Sequence, residues 1–291
     1  MINFFRTLKK KILRKITITI FNKRKPLNLI LFDILFNFFV AKSKNRQDFI
    51  KNFKNDGFVK LDVDIKDEIK QINQNLKLKN IEENPPYEFS PNNEIREAVD
   101  KIINVKLKNK LEEIEKYYNS KILPAYICLR RNVYYEKINN IDLFSDNFHN
   151  DAYTCTHLKI FVNLMDTKVE HGPMKIVSKK NLRRFIKNSS YKDRSDYNET
   201  NVKDLVFDNT GNIGECLLFD PTNCMHRASI PQKGFHRDYL IITFVCFPKK
   251  NFLSENFKNF DIFIYEKNPL IKFCKPASIS STIKLFSRYI N

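Results

Sequence analysis

From Leu123 onward the chain changes its apolar period from that of helices to that of strands, and this limits the folds open to it. Ala125–Tyr135 reads as a strand, and strands resume at Glu215–Asp220 and Tyr239–Phe247. In His157–Met165 one face is Leu158, Ile160, Val162 and Leu164, and the other is His157, Lys159, Phe161, Asn163 and Met165. The wholly apolar face should meet helices, which turns the mixed face the other way, into a β-rich core. Four of the five glycines (172, 211, 214, 234) punctuate this region, as turns require.

Upstream the period is helical. Gln47–Asn55 reads as a short helix ended at Gly57, and Phe58–Val63 as a first strand. Lys66–Leu76 is helical again, with Ile65, Ile69, Ile72 and Leu76 at helical spacing. Asn84–Asn93, with three prolines, is a loop, and one long helix is expected from Glu94 to about Tyr118. Residues 181–204 are polar and charged without a clear period, a candidate lid or substrate loop. The expected division is a basic helical extension over 1–46, a β-rich domain over 47–250 and a helical tail over 251–291. At 291 residues, 42% hydrophobic with 26 Phe, the chain has ample material for a packed core.

Six cysteines (128, 155, 216, 224, 246, 274) form no Cys-x-x-Cys pair, and several lie in apolar strand-like runs. A reducing compartment is the simpler expectation. The net charge of +18 is uneven, because residues 1–25 hold nine basic residues and no acid. Elsewhere bases and acids are interspersed, so no specific nucleic-acid partner is expected. Residues 2–21 can form an amphipathic helix, and Leu27–Ala41 is apolar but too short to span a bilayer. Two readings of 1–46 stay open: a helical layer packed on the core, or an in-plane anchor on anionic lipid. The expected location is the cytoplasm, with the second reading putting the protein at the cytoplasmic face of a membrane.

The chemistry-bearing stretch is Phe148-His149-Asn150-Asp151. A histidine and a carboxylate two residues apart on an extended strand point to the same side, where one cation could take both. Met225-His226-Arg227 offers a third ligand 77 residues on, and Arg237 follows His226 by eleven. Two histidines and a carboxylate leave the remaining positions of a metal open, as in non-haem iron(II) oxygenases. Taken singly, Asp151 could be a turn residue or N-cap, His226 a satisfied core histidine and Arg237 a surface cation. His157, His171 and His236 are read as structural, and a closed zinc site lacks the cysteine spacing it needs.

The set resembles the phytanoyl-CoA dioxygenase-like family of iron(II)/2-oxoglutarate oxygenases over roughly residues 47–248. The matching elements are His149-x-Asp151, the Gly172-Pro173 turn between strands, His226, the arginine eleven residues later and an early Asp56-Gly57-Phe58-Val59. Where that family often continues into Pro-Gly-Ser-His, this chain has Ser178-Lys179-Lys180-Asn181. The resemblance implies a double-stranded β-helix, a jelly-roll or cupin-like barrel buttressed by helices. It implies Fe(2+) on His149, Asp151 and His226, and 2-oxoglutarate held by Arg237 with Ser229 and Asn163 nearby, with O2 as co-substrate. It further implies hydroxylation of a small-molecule, lipid- or sugar-linked substrate. Asp151 fills the ligand position that related iron halogenases leave to chloride. The alternative is a non-catalytic peripheral membrane or interaction protein that keeps the barrel without the chemistry.

Overall fold

A computed structural model describes residues 25–41, 48–79, 86–136, 145–194, 196–249, 260–265 and 268–290. The expected helix at 2–21 and most of the polar loop at 137–147 lie outside them. Among the described residues nine strands form two antiparallel sheets. β1 (Phe58–Leu61), β2 (Tyr87–Glu88), β3 (Lys121–Val133), β4 (His157–Asn163), β7 (Cys216–Phe219) and β9 (His236–Phe247) build the larger, in the order β1-β7-β4-β9-β3-β2. β5 (Lys175–Val177), β6 (Val206–Asp208) and β8 (Met225–Arg227) build the smaller, in the order β6-β5-β8.

The two faces of β4 divide as the alternation predicts. Leu158, Ile160 and Val162 join Ile127, Leu129, Leu240 and Ile242 in the main core, against apolar residues of the helices. Those helices are α1 (Leu27–Phe39), α2 (Asp48–Asp56), α3 (Lys66–Asn75), α4 (Asn93–Lys101) and α5 (Lys108–Tyr118). On the opposite face Phe161, with Leu217 and Phe219 of β7, packs against Met174 just before β5, Ile176 of β5 and Phe207 of β6. The site therefore lies between two sheets, its large sheet backed by helices.

Three expectations change. The single helix over Glu94–Tyr118 is broken by a π-helical turn, Ile102–Lys106, in which Leu107 N donates to Ile102 O. The wider turn moves the buried face out of phase, leaving Val105 exposed while Ile102, Ile103 and Leu107 are buried. The loop over 84–93 contains β2, which pairs with Arg130 and Arg131 of β3. Residues 181–204 are folded, with α6 (Leu182–Asn188) and a 3-10 segment, Thr200–Leu205. Leu182, Phe185, Tyr191, Val202 and Leu205 bury together with Phe148, so this stretch is a packed layer behind the His149 segment.

α1 packs on the core through Leu29, Ile30, Phe32 and Phe36, which answers the packed-layer reading for this helix. Its partner is α8 (Ile279–Ile290), which follows the short α7 (Pro269–Phe273). Phe36 and Tyr289 meet edge to face at 5.0 Å, and Phe32 meets Phe286 at 6.5 Å. Asp33 is buried on this helix. It takes Lys25 Nζ at 2.5 Å and accepts the Cys155 N–H at 2.7 Å, so no buried charge is left unpaired there. All six cysteines are buried and unbridged. Among the described residues no helix is long and apolar enough to cross a membrane.

Candidate metal centre

His149 and His226 are locked together through the backbone. His149 N donates to His226 O at 3.0 Å and His226 N returns the bond to His149 O at 2.9 Å. The reciprocal pair sets the two imidazoles side by side, ring centroids 4.3 Å apart. His226 is carried by β8, which β5 holds in register, Ile176 opposite His226. Asp151 is fixed by its own N–H, which donates to Pro221 O at 2.8 Å. That carbonyl sits in a turn organised by Asp220, whose carboxylate accepts from Thr222 N, Thr222 Oγ1, Asn223 N and Asn223 Nδ2. Behind the motif, the Phe148 ring is fully buried and Tyr191 donates its hydroxyl to Phe148 O at 2.6 Å.

The side chains then converge. His149 Nδ1 lies 2.9 Å from Asn147 O and His226 Nδ1 lies 3.3 Å from Cys224 O. A carbonyl can only accept, so each Nδ1 carries the proton and each Nε2 keeps its lone pair. Both Nε2 atoms are 3.7 Å from the same oxygen, Asp151 Oδ1. Burial pushes both imidazoles down from their ordinary pKa, so they stay neutral and able to ligate. For Asp151 burial is the largest single influence and acts upward, but the Lys159 ammonium together with the neighbouring His226, His157 and His149 rings holds the carboxyl well below the usual carboxylate range. His149, Asp151 and His226 offer one ligand atom each within 4.8 Å of one another. Two lone pairs and an ionised oxygen facing one point, with backbone carbonyls fixing the rings, suit a divalent cation.

Lys159 is the residue that sequence reasoning passed over. Its Nζ lies 2.6 Å from Asp151 Oδ2, leaving Oδ1 toward the histidines. The available signal was a lone lysine on the inner face of a strand whose outer face is wholly apolar. In the metal-free protein this ammonium is the cation that compensates a largely buried carboxylate. Lys159→Met is expected to destabilise the metal-free protein by about 3 kcal/mol, as breaking a buried pair does. Saturating nickel(II) should recover much of that loss by replacing the missing positive charge. Urea unfolding with and without metal measures both, and equal losses in the two states would defeat the assignment.

Arg237 and Ser229 meet at Gly172. Arg237 is only 4% exposed and donates to Gly172 O, with its guanidinium 4.9 Å above the Tyr239 ring. Ser229 is buried, and its carbonyl accepts from Asn132, the β3 residue opposite Arg237. Arg237 Nε and Ser229 Oγ are both buried without a protein partner, and no carboxylate among the described residues pairs with Arg237. A buried cation with an unused donor beside an unused hydroxyl fits a carboxylate ligand. From His226 to Arg237 the wall is aromatic: Phe219 lies 5.0 Å from His226, Phe161 5.6 Å from Phe219, and Tyr239 6.0 Å from Phe161.

Gly172 is left-handed at φ 65°, and a Cβ there would lie 2.6 Å from Ser229 O and Pro231 N. Gly172→Ala should cost about 1–3 kcal/mol for the backbone conformation alone. The same change should disturb the Arg237 anchor, so it should also weaken carboxylate binding. Unchanged urea stability would show that the turn tolerates a side chain.

Asn163 is placed differently. It is buried at the end of β4 opposite Tyr239, and its amide donates to Asn212 O at 3.5 Å. No hydrogen bond among the described residues brings it to Arg237, Ser229 or the triad. The remaining histidines stay outside the triad. His157 is buried and stacked on Tyr153 at 4.3 Å, with burial pushing its pKa down to about 3. His171 Nδ1 accepts from Lys168 N, and His236 approaches Asp238 at 3.9 Å.

No family model matches the chain, and no curated protein matches it. Several solved structures align with part of the chain. One is the epimerase SnoN in complex with Fe3+, alpha ketoglutarate and nogalamycin RO, at 13% identity and a TM-score of 0.43, covering 68% of this chain and 82% of that one. HygX from Streptomyces hygroscopicus with nickel and 2-oxoglutarate bound aligns at 13% identity and 0.45, covering 69% and 87%. EctD from S. alaskensis with 2-oxoglutarate and 5-hydroxyectoine aligns at 14% and 0.46, covering 72% and 80%. Likenesses this distant assign no role to any residue here, and the functional reading rests on the geometry of the His149–Asp151–His226 cluster.

Proposed function

We propose that the chain is an iron(II)/2-oxoglutarate-dependent dioxygenase with a double-stranded β-helix core, hydroxylating a small-molecule, lipid- or sugar-linked substrate. The observation that carries this is the convergence of two neutral Nε2 atoms on Asp151 Oδ1, with an acid-free buried arginine along the same aromatic wall. His149, Asp151 and His226 would hold Fe(2+). Arg237 would pair with the distal carboxylate of 2-oxoglutarate, with Ser229 adding a hydroxyl contact and Asn163 lining the pocket. When bound, iron and 2-oxoglutarate supply the oxidising chemistry, in which O2 and the 2-oxo acid are consumed, succinate and carbon dioxide are released and a substrate C–H bond is hydroxylated.

The chain's own residues do the rest. The carbonyls of Asn147 and Cys224 hold the imidazole tautomers, and Lys159 restrains the second oxygen of Asp151. Phe161, Phe219 and Tyr239 keep water from the wall between the ligands and Arg237. With Asp151 in place as a ligand, the expected product is an alcohol rather than a halide. The test is anaerobic titration with iron(II) and 2-oxoglutarate, followed by succinate release on admitting O2. A protein that binds neither removes the reading, and a chlorinated product in excess chloride removes the hydroxylase part of it.

A further inference from the structure

α1 and α8 lie side by side, and their outward sides carry large apolar residues that nothing else in the described chain covers. On α1, Ile34 and Phe38 sit one turn apart, and Phe38 and Phe39 are 79% and 63% exposed. On α8, exposed Ile279, Ile283 and Ile290 fall on one helical line with Phe286. The two rows join, because the Phe38 and Phe39 rings are 4.8 Å apart and Phe39 lies 6.1 Å from Phe286. Single exposed apolar residues need no explanation, whereas a contiguous patch of this kind marks a contact surface.

The charge around the patch says what kind of contact. The one charged residue of α1, Asp33, is buried against Lys25. α8 carries exposed Lys284 and Arg288 and no acid. The helix pair therefore offers bulky apolar groups bordered by cations, with no exposed anion of its own. An anionic bilayer presents the complement in the same order, charged headgroups over hydrocarbon. α1, at 13 residues, is too short to cross, so the fit is in the plane of the interface.

We propose that the α1/α8 face is a docking surface for an anionic lipid bilayer, with Phe38, Phe39 and Ile283 entering the acyl boundary and Lys284 and Arg288 meeting headgroups. The buried side of α1, with Phe32 and Phe36, stays inside the protein. The inference is independent of the catalytic reading.

The experiment is flotation of the full chain with vesicles of phosphatidylcholine alone and with added phosphatidylglycerol. The full chain should float only with the anionic vesicles, and less so as salt is raised. The double variant Phe38→Ser, Ile283→Ser removes two exposed side chains and should melt as the parent does, yet lose on the order of tenfold or more in vesicle affinity. Lys284→Glu with Arg288→Glu should lose affinity similarly. Undiminished binding by the serine variant would locate attachment in residues 1–24 and overturn the proposal, as would absence of anionic-vesicle binding by the full chain. A dimer in light scattering that the serine variant disperses, without vesicle binding, would assign the face to a second copy instead.

Discussion

Replacing His226 by alanine is expected to reduce iron-dependent 2-oxoglutarate turnover to the level of a protein-free control, and His149→Ala should do the same. Each change removes one of two neutral nitrogen donors aimed at Asp151 Oδ1 from 3.7 Å, and one histidine with one carboxylate holds a ferrous ion poorly. The fold should survive. The bonds joining the two segments run between backbone atoms, His149 N to His226 O and His226 N to His149 O, and alanine leaves both in place. Circular dichroism and urea unfolding check the fold, succinate release checks turnover, and calorimetry with nickel(II) checks the metal. Parent-like succinate production by either variant would remove the metal assignment.

The second large effect is expected at Arg237. Truncating one partner of a buried, charge-assisted pair typically costs about 2–5 kcal/mol. Arg237→Ala should therefore raise the apparent constant for 2-oxoglutarate by well over tenfold while metal affinity changes little. The stability of the metal-free protein should fall little or even rise, because a buried guanidinium without a carboxylate is itself unfavourable. Arg237→Lys keeps the charge but loses the planar fork, so it should recover part of the affinity only. An unchanged 2-oxoglutarate dependence in the alanine variant would take Arg237 out of the pocket.

Part of the site was legible from the chain's local pattern. His149 and Asp151 do converge, but not as neighbours on a strand: His149 makes only an isolated bridge to His226 and Asp151 lies outside every described strand. The apolar face of β4 could be assigned to helices because the other face carries lysine and asparagine. Lys159 itself escaped. A lysine on the inner face of a strand has no partner that local sequence announces, and the tertiary fold sets the Asp151 carboxylate 2.6 Å away. The layer beneath Phe148 escaped because Leu182, Phe185, Tyr191, Val202 and Leu205 come from a helix, a turn and a 3-10 segment, with no common period. The π turn at Ile102–Lys106 inserts a phase shift between two amphipathic helices, which a single helical template reads as a weak middle. The pairing of α1 with α8 is a contact between distant parts of the chain, and local pattern cannot announce it.

That pairing also orders events during synthesis. Phe32 and Phe36 are separated from their aromatic partners Phe286 and Tyr289 by most of the described chain, which is synthesised between them. The carboxylate of Asp33 likewise waits for the amide of Cys155. The aromatic contacts between α1 and α8 can therefore form only once α8 has been made.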